Sequence, residues 1–212
     1  LPERLRVALP QTFGLASMAL GVSMIVKVKY LPAVVLALIV GAIIGELILL
    51  EGKIGRLGTR TKGVVERVFP PQGDLSHEEF IEKFVAILVL FCASGTGVFG
   101  AMNEGMTGDP QILLVKSILD FFTSGIFATA LGYAVAAICM PQLAIQLVLA
   151  FAAGWILPMT TPAMMADFSA VGGVIMLATG FRICGIKPFP VANLLPALVL
   201  AMPFSHLWSL VV

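Results

Sequence analysis

Long apolar runs alternate with short polar breaks along this chain, and the spacing of the breaks predicts its architecture. Apolar stretches cover about 8–26, 31–50, 82–102, 110–138, 142–159, 164–184 and 190–212. Each is close to the ~20 residues a helix needs to cross the hydrocarbon core of a bilayer. The pattern predicts an all-α, polytopic transmembrane bundle with seven helices in this chain. The fourth run is longer than a span requires and is expected to tilt or bend. The fifth stops at Pro158, and "MTTPAMMAD" makes the next turn, with Thr161 as helix cap and Pro162 at the first helical position.

Composition agrees. Of 212 residues, 59% are hydrophobic and 12% charged, and the mean hydropathy is +1.03. A soluble domain carries about twice that charged fraction. The net charge is only +1, so a polyanion such as nucleic acid is not an expected partner. Cys92, Cys139 and Cys184 are far apart and form no CxxC pair. His77 and His206 are isolated, and "HEEFIE" at 77–82 reads as a capped helix start after Ser76, not as HExxH. No catalytic set, metal site or cofactor motif is expected.

The charges cluster. "EGKIGRLGTRTKGVVERVF" carries Lys53, Arg56, Arg60, Lys62 and Arg67 with Ile54, Leu57, Val64, Val65 and Val68 between them. It reads either as a basic amphipathic stretch on the membrane surface or as a solvated loop. Placing the N-terminus in the cytoplasm puts Arg4, Arg6, these five residues, Lys83, Arg182 and Lys187 inside, ten of the thirteen Lys and Arg. Lys27 and Lys29 fall outside, and Lys116 lies within a helix. The positive-inside rule selects this orientation, which turns "NEGMTGD" outward.

Shifting the sequence by 159 places superposes two segments. Gly14 meets Gly173, Ala19 meets Ala178, Gly21 meets Gly180, Ala33 meets Ala192, Leu36 meets Leu195 and Val40 meets Val199. Five helix steps separate the copies, so the second crosses in the opposite sense. Such an inverted-topology repeat is common among secondary transporters. The expected organisation is a first repeat at 1–51, a basic cytoplasmic connection at 52–81, a central helix pair at 82–138 and an inverted second repeat at 142–212.

Four stretches carry a family resemblance: "LPERLR" at 1–6, "GAIIGELILLEGKIGRLG" at 41–58, "LFCASGTGVFGAMNEGMTGDPQILLVKSILD" at 90–120 and "VANLLPALVLA" at 191–201. The chain resembles, over nearly its whole length, the bacterial multi-spanning family known as domain of unknown function 554. The resemblance implies an inner-membrane protein of a kind often labelled a transporter, and implies no particular activity. It also implies one further hydrophobic segment before "LPER", giving eight helices in the full protein.

The candidate site is in the centre. Lys116, Asp120 and Ser124 recur every four residues, with Ser117 and Thr123 beside them, as a polar stripe on an apolar helix. Asp120 falls ~15 Å from the helix start at Pro110, near mid-membrane. A charge there costs about 2.5–3.5 kcal/mol on the insertion scale, and such residues pair or line polar pathways. Two readings stay open: a Lys116–Asp120 bridge that locks the bundle, and a pathway-lining, proton-coupled pair.

"CASGTGVFGAMNEGMTGDP" at 92–110 holds five glycines, and is expected to be a bent or broken helix end whose backbone, with Ser94, Thr96 and Asn103, coordinates an ion or polar solute. The competing reading is close helix packing through small residues. Asn193 beside Pro196 is a polar, kink-prone point with no counterpart in the first copy. It is expected to serve the pathway or to hydrogen-bond the central helices.

The leading expectation is a small transporter or channel for an ion or small polar solute, embedded in lipid and forming a homodimer. The alternative is a non-transporting scaffold or sensor that binds lipid or a protein through its basic segment.

Overall fold

The structure, a computed structural model, describes residues 3–60 and 94–211, and positions 80, 84, 87, 88, 91 and 92 between them. The described residues are helical and contain no strand. Helix α1 spans Glu3–Ile25, α2 Leu31–Leu47, α3 Leu50–Arg60, α4 Gly95–Thr107, α5 Gln111–Leu131, α6 Cys139–Ile156, α7 Pro162–Ile183 and α8 Pro196–Ser209. Of the third predicted span, residues 82 and 83, 85 and 86, 89 and 90, and 93 lie outside the described residues. So do the cap at Ser76, the break at 70–74 and the basic positions 61–67. Helix α3 carries Lys53 and Arg56 exposed, with Ile54 partly covered.

Local chemistry sets the boundaries. Thr161 caps α7, its hydroxyl accepting from the Met164 amide at 3.3 Å, and Pro162 follows at the first helical position. Gly108 ends α4 at φ 71°, a conformation costly for any residue with a β-carbon. Gly132, at φ 61°, ends α5 at Leu131. The run 110–138 is therefore an α-helix followed by a 3-10 segment, Gly132–Ile138, which leads directly into α6.

Among the described residues, four helical stretches are long and apolar enough to cross a membrane: Gln111–Thr129, Gly132–Met159, Pro162–Ile183 and Val191–Ser209. Gln11–Ile25 and Leu31–Leu47 are shorter apolar helices. Large apolar side chains cover the outside, with Trp155 85% and Phe121 73% exposed. Water would not tolerate so continuous an apolar exterior; hydrocarbon does.

Helix α7 is the hub. Two-thirds of its span, 67%, is buried, against 11% of Gln111–Thr129. It runs antiparallel to α1 at close approach, with Gly14 against the Gly180 carbonyl and Gly21 against the Gly173 carbonyl. Ser17 Oγ donates to the Met176 carbonyl at 2.9 Å between those crossings. Helices α2 and α8 repeat the device, with Gly41 against Ala197 and Gly45 against Asn193. In lipid the hydrophobic effect does not drive helices together, so backbone proximity through small residues supplies the packing. Phe99 of α4 packs on Phe168 with ring centroids 5.0 Å apart and lies over Gly172.

Candidate functional site

The glycine-rich stretch is a broken helix. Phe91 and Cys92 are helical, Ser94 is extended at φ −67° and ψ 130°, and α4 begins at Gly95. Ser94 Oγ accepts from the Gly97 amide at 3.0 Å. That satisfies one of the amides at this helix start; those at the first two positions have no acceptor within the helix. The glycines here also admit neighbours. A β-carbon at Gly97 would lie 2.7 Å from Lys116 Cε, and one at Gly100 2.9 Å from Ile112 Cγ2. Close packing and a helix break, the two readings of this stretch, occur together.

Lys116 of α5 reaches into that break. It is 3% exposed, ion-paired to Asp120 one turn on, and lies 5.6 Å from the centroid of the Phe91 ring. Asp120 Oδ2 also accepts from Gln142 Nε2 of α6 at 2.7 Å. Gln142 was not legible as a partner in the sequence, because its only signal was an amide in an apolar run, 22 residues from Asp120.

Phe91, Lys116 and Asp120 border a cavity of about 320 Å³ between α1, α4, α5 and α7. Ser94, Thr96, Lys116, Asp120 and Thr123 all line it, so five of the nine residues singled out from the sequence meet at one place. Ser17 and Thr179 add hydroxyls on the far wall, both committed to main-chain carbonyls. Phe13, Leu119, Ile126 and Phe127 make much of the rest apolar. Arg182 stands at the exposed end, paired to Glu51 of α3 at 2.7 Å.

The stripe on α5 divides. At about 100° per residue, Ser117 and Ser124 lie roughly a quarter-turn round the helix from Lys116. They line a wider outer groove of about 790 Å³ with Gln142 and Gln146. Ser117 is exposed, and each serine bonds a carbonyl of its own helix. Asp120 borders both spaces.

Asn103 and Asn193 stand elsewhere. Asn103 is buried and donates to Thr107 Oγ1 at 3.3 Å, tightening the end of α4. Asn193 is buried where α8 begins, and its side-chain oxygen accepts from the Glu51 amide at 2.8 Å. The expected bond to the central helices is replaced by one to α3, because the Asn193 carbonyl packs on Gly45 at the end of α2.

One buried acid escaped the sequence reading. Asp167 of α7, 0% exposed, accepts from the amides of Lys29 and Tyr30 at 2.8 and 2.9 Å and from Ser205 Oγ at 2.6 Å. It fastens the α1–α2 turn to α7 and α8. Among the described residues no three His, Cys, Asp or Glu side chains converge as metal ligands would.

A bundle of long apolar helices, with a partly buried ion pair near the middle of one and a lipid-compatible exterior, is a multi-spanning membrane protein. The chain belongs to the family described as "Protein of unknown function (DUF554)", which matches residues 1–206. It is 58% identical over 209 residues to "Uncharacterized protein YqgA" of Escherichia coli (strain K12), covering 99% of this chain and 88% of that protein. It is 26% identical over 196 residues to "Uncharacterized membrane protein YdfK" of Bacillus subtilis (strain 168), covering 91% and 80%. No solved structure matches it.

Proposed function

We propose that the protein is a small transporter or channel of the bacterial inner membrane, carrying an ion or small polar solute through the cavity between α1, α4, α5 and α7. One observation carries this reading: a 320 Å³ space holds the Lys116–Asp120 pair beside a helix broken at Ser94. A bridge serving only to lock the bundle needs neither the cavity nor the break. On this reading the Arg182 end opens to the cytoplasm, as the positive-inside bias requires.

The inverted repeat fits the same reading. The contacts Gly14–Gly180 and Gly21–Gly173 exchange under the 159-residue shift, and Ser17 bonds to Met176, 159 residues away. A pseudo-twofold axis perpendicular to α1 and α7 would generate that pattern, and it would lie in the membrane plane. The homodimer would form on α5 and α6, whose spans are only 11% and 17% buried and whose outer groove exposes Ser117. The alternative, a lipid- or protein-binding scaffold, draws on the exposed Lys53 and Arg56 of α3.

Solute flux into proteoliposomes tests the proposal, with Asp120→Asn as the diagnostic variant. The expected result is a folded Asp120→Asn protein with flux abolished or altered in selectivity. Unchanged flux per folded molecule would refute the pathway.

A further inference from the structure

Two features at the closed end of the cavity bear the same sign. The N-terminus of α4 borders the cavity through Ser94 and Thr96, which brings the positive end of its dipole there. Lys116 lies alongside, its Cε close to Gly97 in the first turn of that helix. A third feature is a polar side chain without a partner. Thr96, the second residue of α4, is 6% exposed and lines the cavity, and among the described residues its hydroxyl has no hydrogen-bond partner. The neighbouring Ser94 hydroxyl accepts from Gly97 and keeps its own proton free to donate.

These groups offer donors. A hydroxyl that faces a cavity without a protein partner is open to an acceptor on a ligand. Among the described residues Asp120 is the one carboxylate on the wall, and its Oδ2 already takes two donors, Lys116 and Gln142. A cation entering this end would meet the remaining Asp120 oxygen and hydroxyl lone pairs, but would have to approach an ammonium and a helix N-terminus. An anion would meet the ammonium, the free amides and two hydroxyl protons. Leu119, Ile126 and Phe127 of α5, with Phe13 of α1, suit a short hydrocarbon chain better than a hydration shell.

We infer that the cavity binds a small organic anion, a short-chain carboxylate, with its carboxylate group held by Thr96, Ser94, Lys116 and the first amides of α4. The inference rests on the reading of this cavity as the pathway and names the solute class. The carboxylate joins the existing pair as a bridging acceptor, so Lys116 lies between two anions, and the remaining negative charge faces the positive end of the α4 dipole. Arg182 at the exposed end supplies a second cation along the approach, partly neutralised by Glu51.

The test is thermal unfolding of the purified full chain in detergent, titrated separately with sodium butyrate, butylammonium chloride and butanol. Each is read against sodium chloride at the same ionic strength. These three share their hydrocarbon chain and differ in charge. Butyrate alone is expected to raise Tm progressively, because a ligand that binds only the folded state stabilises it by mass action. Thr96→Val should weaken half-saturation by about tenfold, the effect of one lost hydrogen bond to a charged group, and Thr96→Ser should restore it. Stabilisation by butylammonium equal to or greater than that by butyrate would overturn the assignment in favour of a cation. An equal response to butanol would reduce the cavity to an apolar void. No response to butyrate, or one unchanged in Thr96→Val, would also overturn it. Binding and flux separate the two readings: butyrate bound but not carried refutes transport and leaves the anion site. Flux of a cation without a butyrate response refutes the anion and leaves transport.

Discussion

Replacing Gly21 by alanine tests the packing on which the cavity depends. A β-carbon at Gly21 would lie 2.5 Å from the Gly173 carbonyl oxygen and 3.0 Å from the Leu177 amide. Both obstacles are backbone and cannot rotate aside. Ordinary non-bonded contact needs ~3.5 Å, so α1 and α7 must part by about 1 Å. Ser17 lies one turn along the same crossing, and its 2.9 Å bond to Met176 would stretch beyond hydrogen-bond reach. Overpacking of this kind costs about 1–3 kcal/mol and the lost bond about 1 kcal/mol. Alanine returns up to ~1 kcal/mol of helix propensity, leaving a net loss of about 1–3 kcal/mol. Unfolding in mixed micelles against rising sodium dodecyl sulfate measures this, with Gly52→Ala as reference. No atom lies within 4 Å of a β-carbon at Gly52, so that variant should be neutral or gain up to ~1 kcal/mol. If Gly21→Ala matched Gly52→Ala, the close crossing of α1 and α7 would be refuted.

Two further outcomes are expected beside those for Asp120 and Thr96. Asp167→Ala orphans three donors at a fully buried position, at about 1–3 kcal/mol each, and should unfold far more readily in the same titration. Asp167→Asn keeps a side-chain acceptor, and a loss equal to that of alanine would show that charge, not hydrogen bonding, holds the turn. For orientation, a cysteine placed at position 109 should react with an impermeant maleimide in intact cells and one at position 56 should not; the reverse pattern would invert the topology.

The sequence by itself determined that this is a helical membrane protein. Apolar runs of spanning length, broken by glycine, proline and clustered charge, have no other stable arrangement, because hydrocarbon forces the backbone to satisfy its own hydrogen bonds. It also carried much of the candidate site. Lys116 and Asp120 stood out because a charge in an apolar helix is costly, and the glycines around Ser94 stood out because they weaken a helix. Local rules were enough for those inferences. The end of α5 at Gly132 was less legible, since a glycine in an apolar run is equally at home in a helix packed closely against another; its positive φ decided the matter.

Tertiary structure decided which polar residues share a space. Ser117 and Thr123 each lie three residues from Asp120, on its two sides, and Thr123 lines the inner cavity while Ser117 lines the outer groove. Helical periodicity sets the two about 120° apart, but which side of α5 meets the inner cavity depends on the neighbours it packs against. Gln142, Glu51 and Asp167 were legible only as isolated polar residues. Their partners lie 22, 131 and 137 residues away, at Asp120, Arg182 and Tyr30. Such pairings exist only after the helices have chosen their contacts. The backbone approach of glycines at α1–α7 and α2–α8 makes that choice, because in lipid the closest packing wins where the hydrophobic effect no longer discriminates.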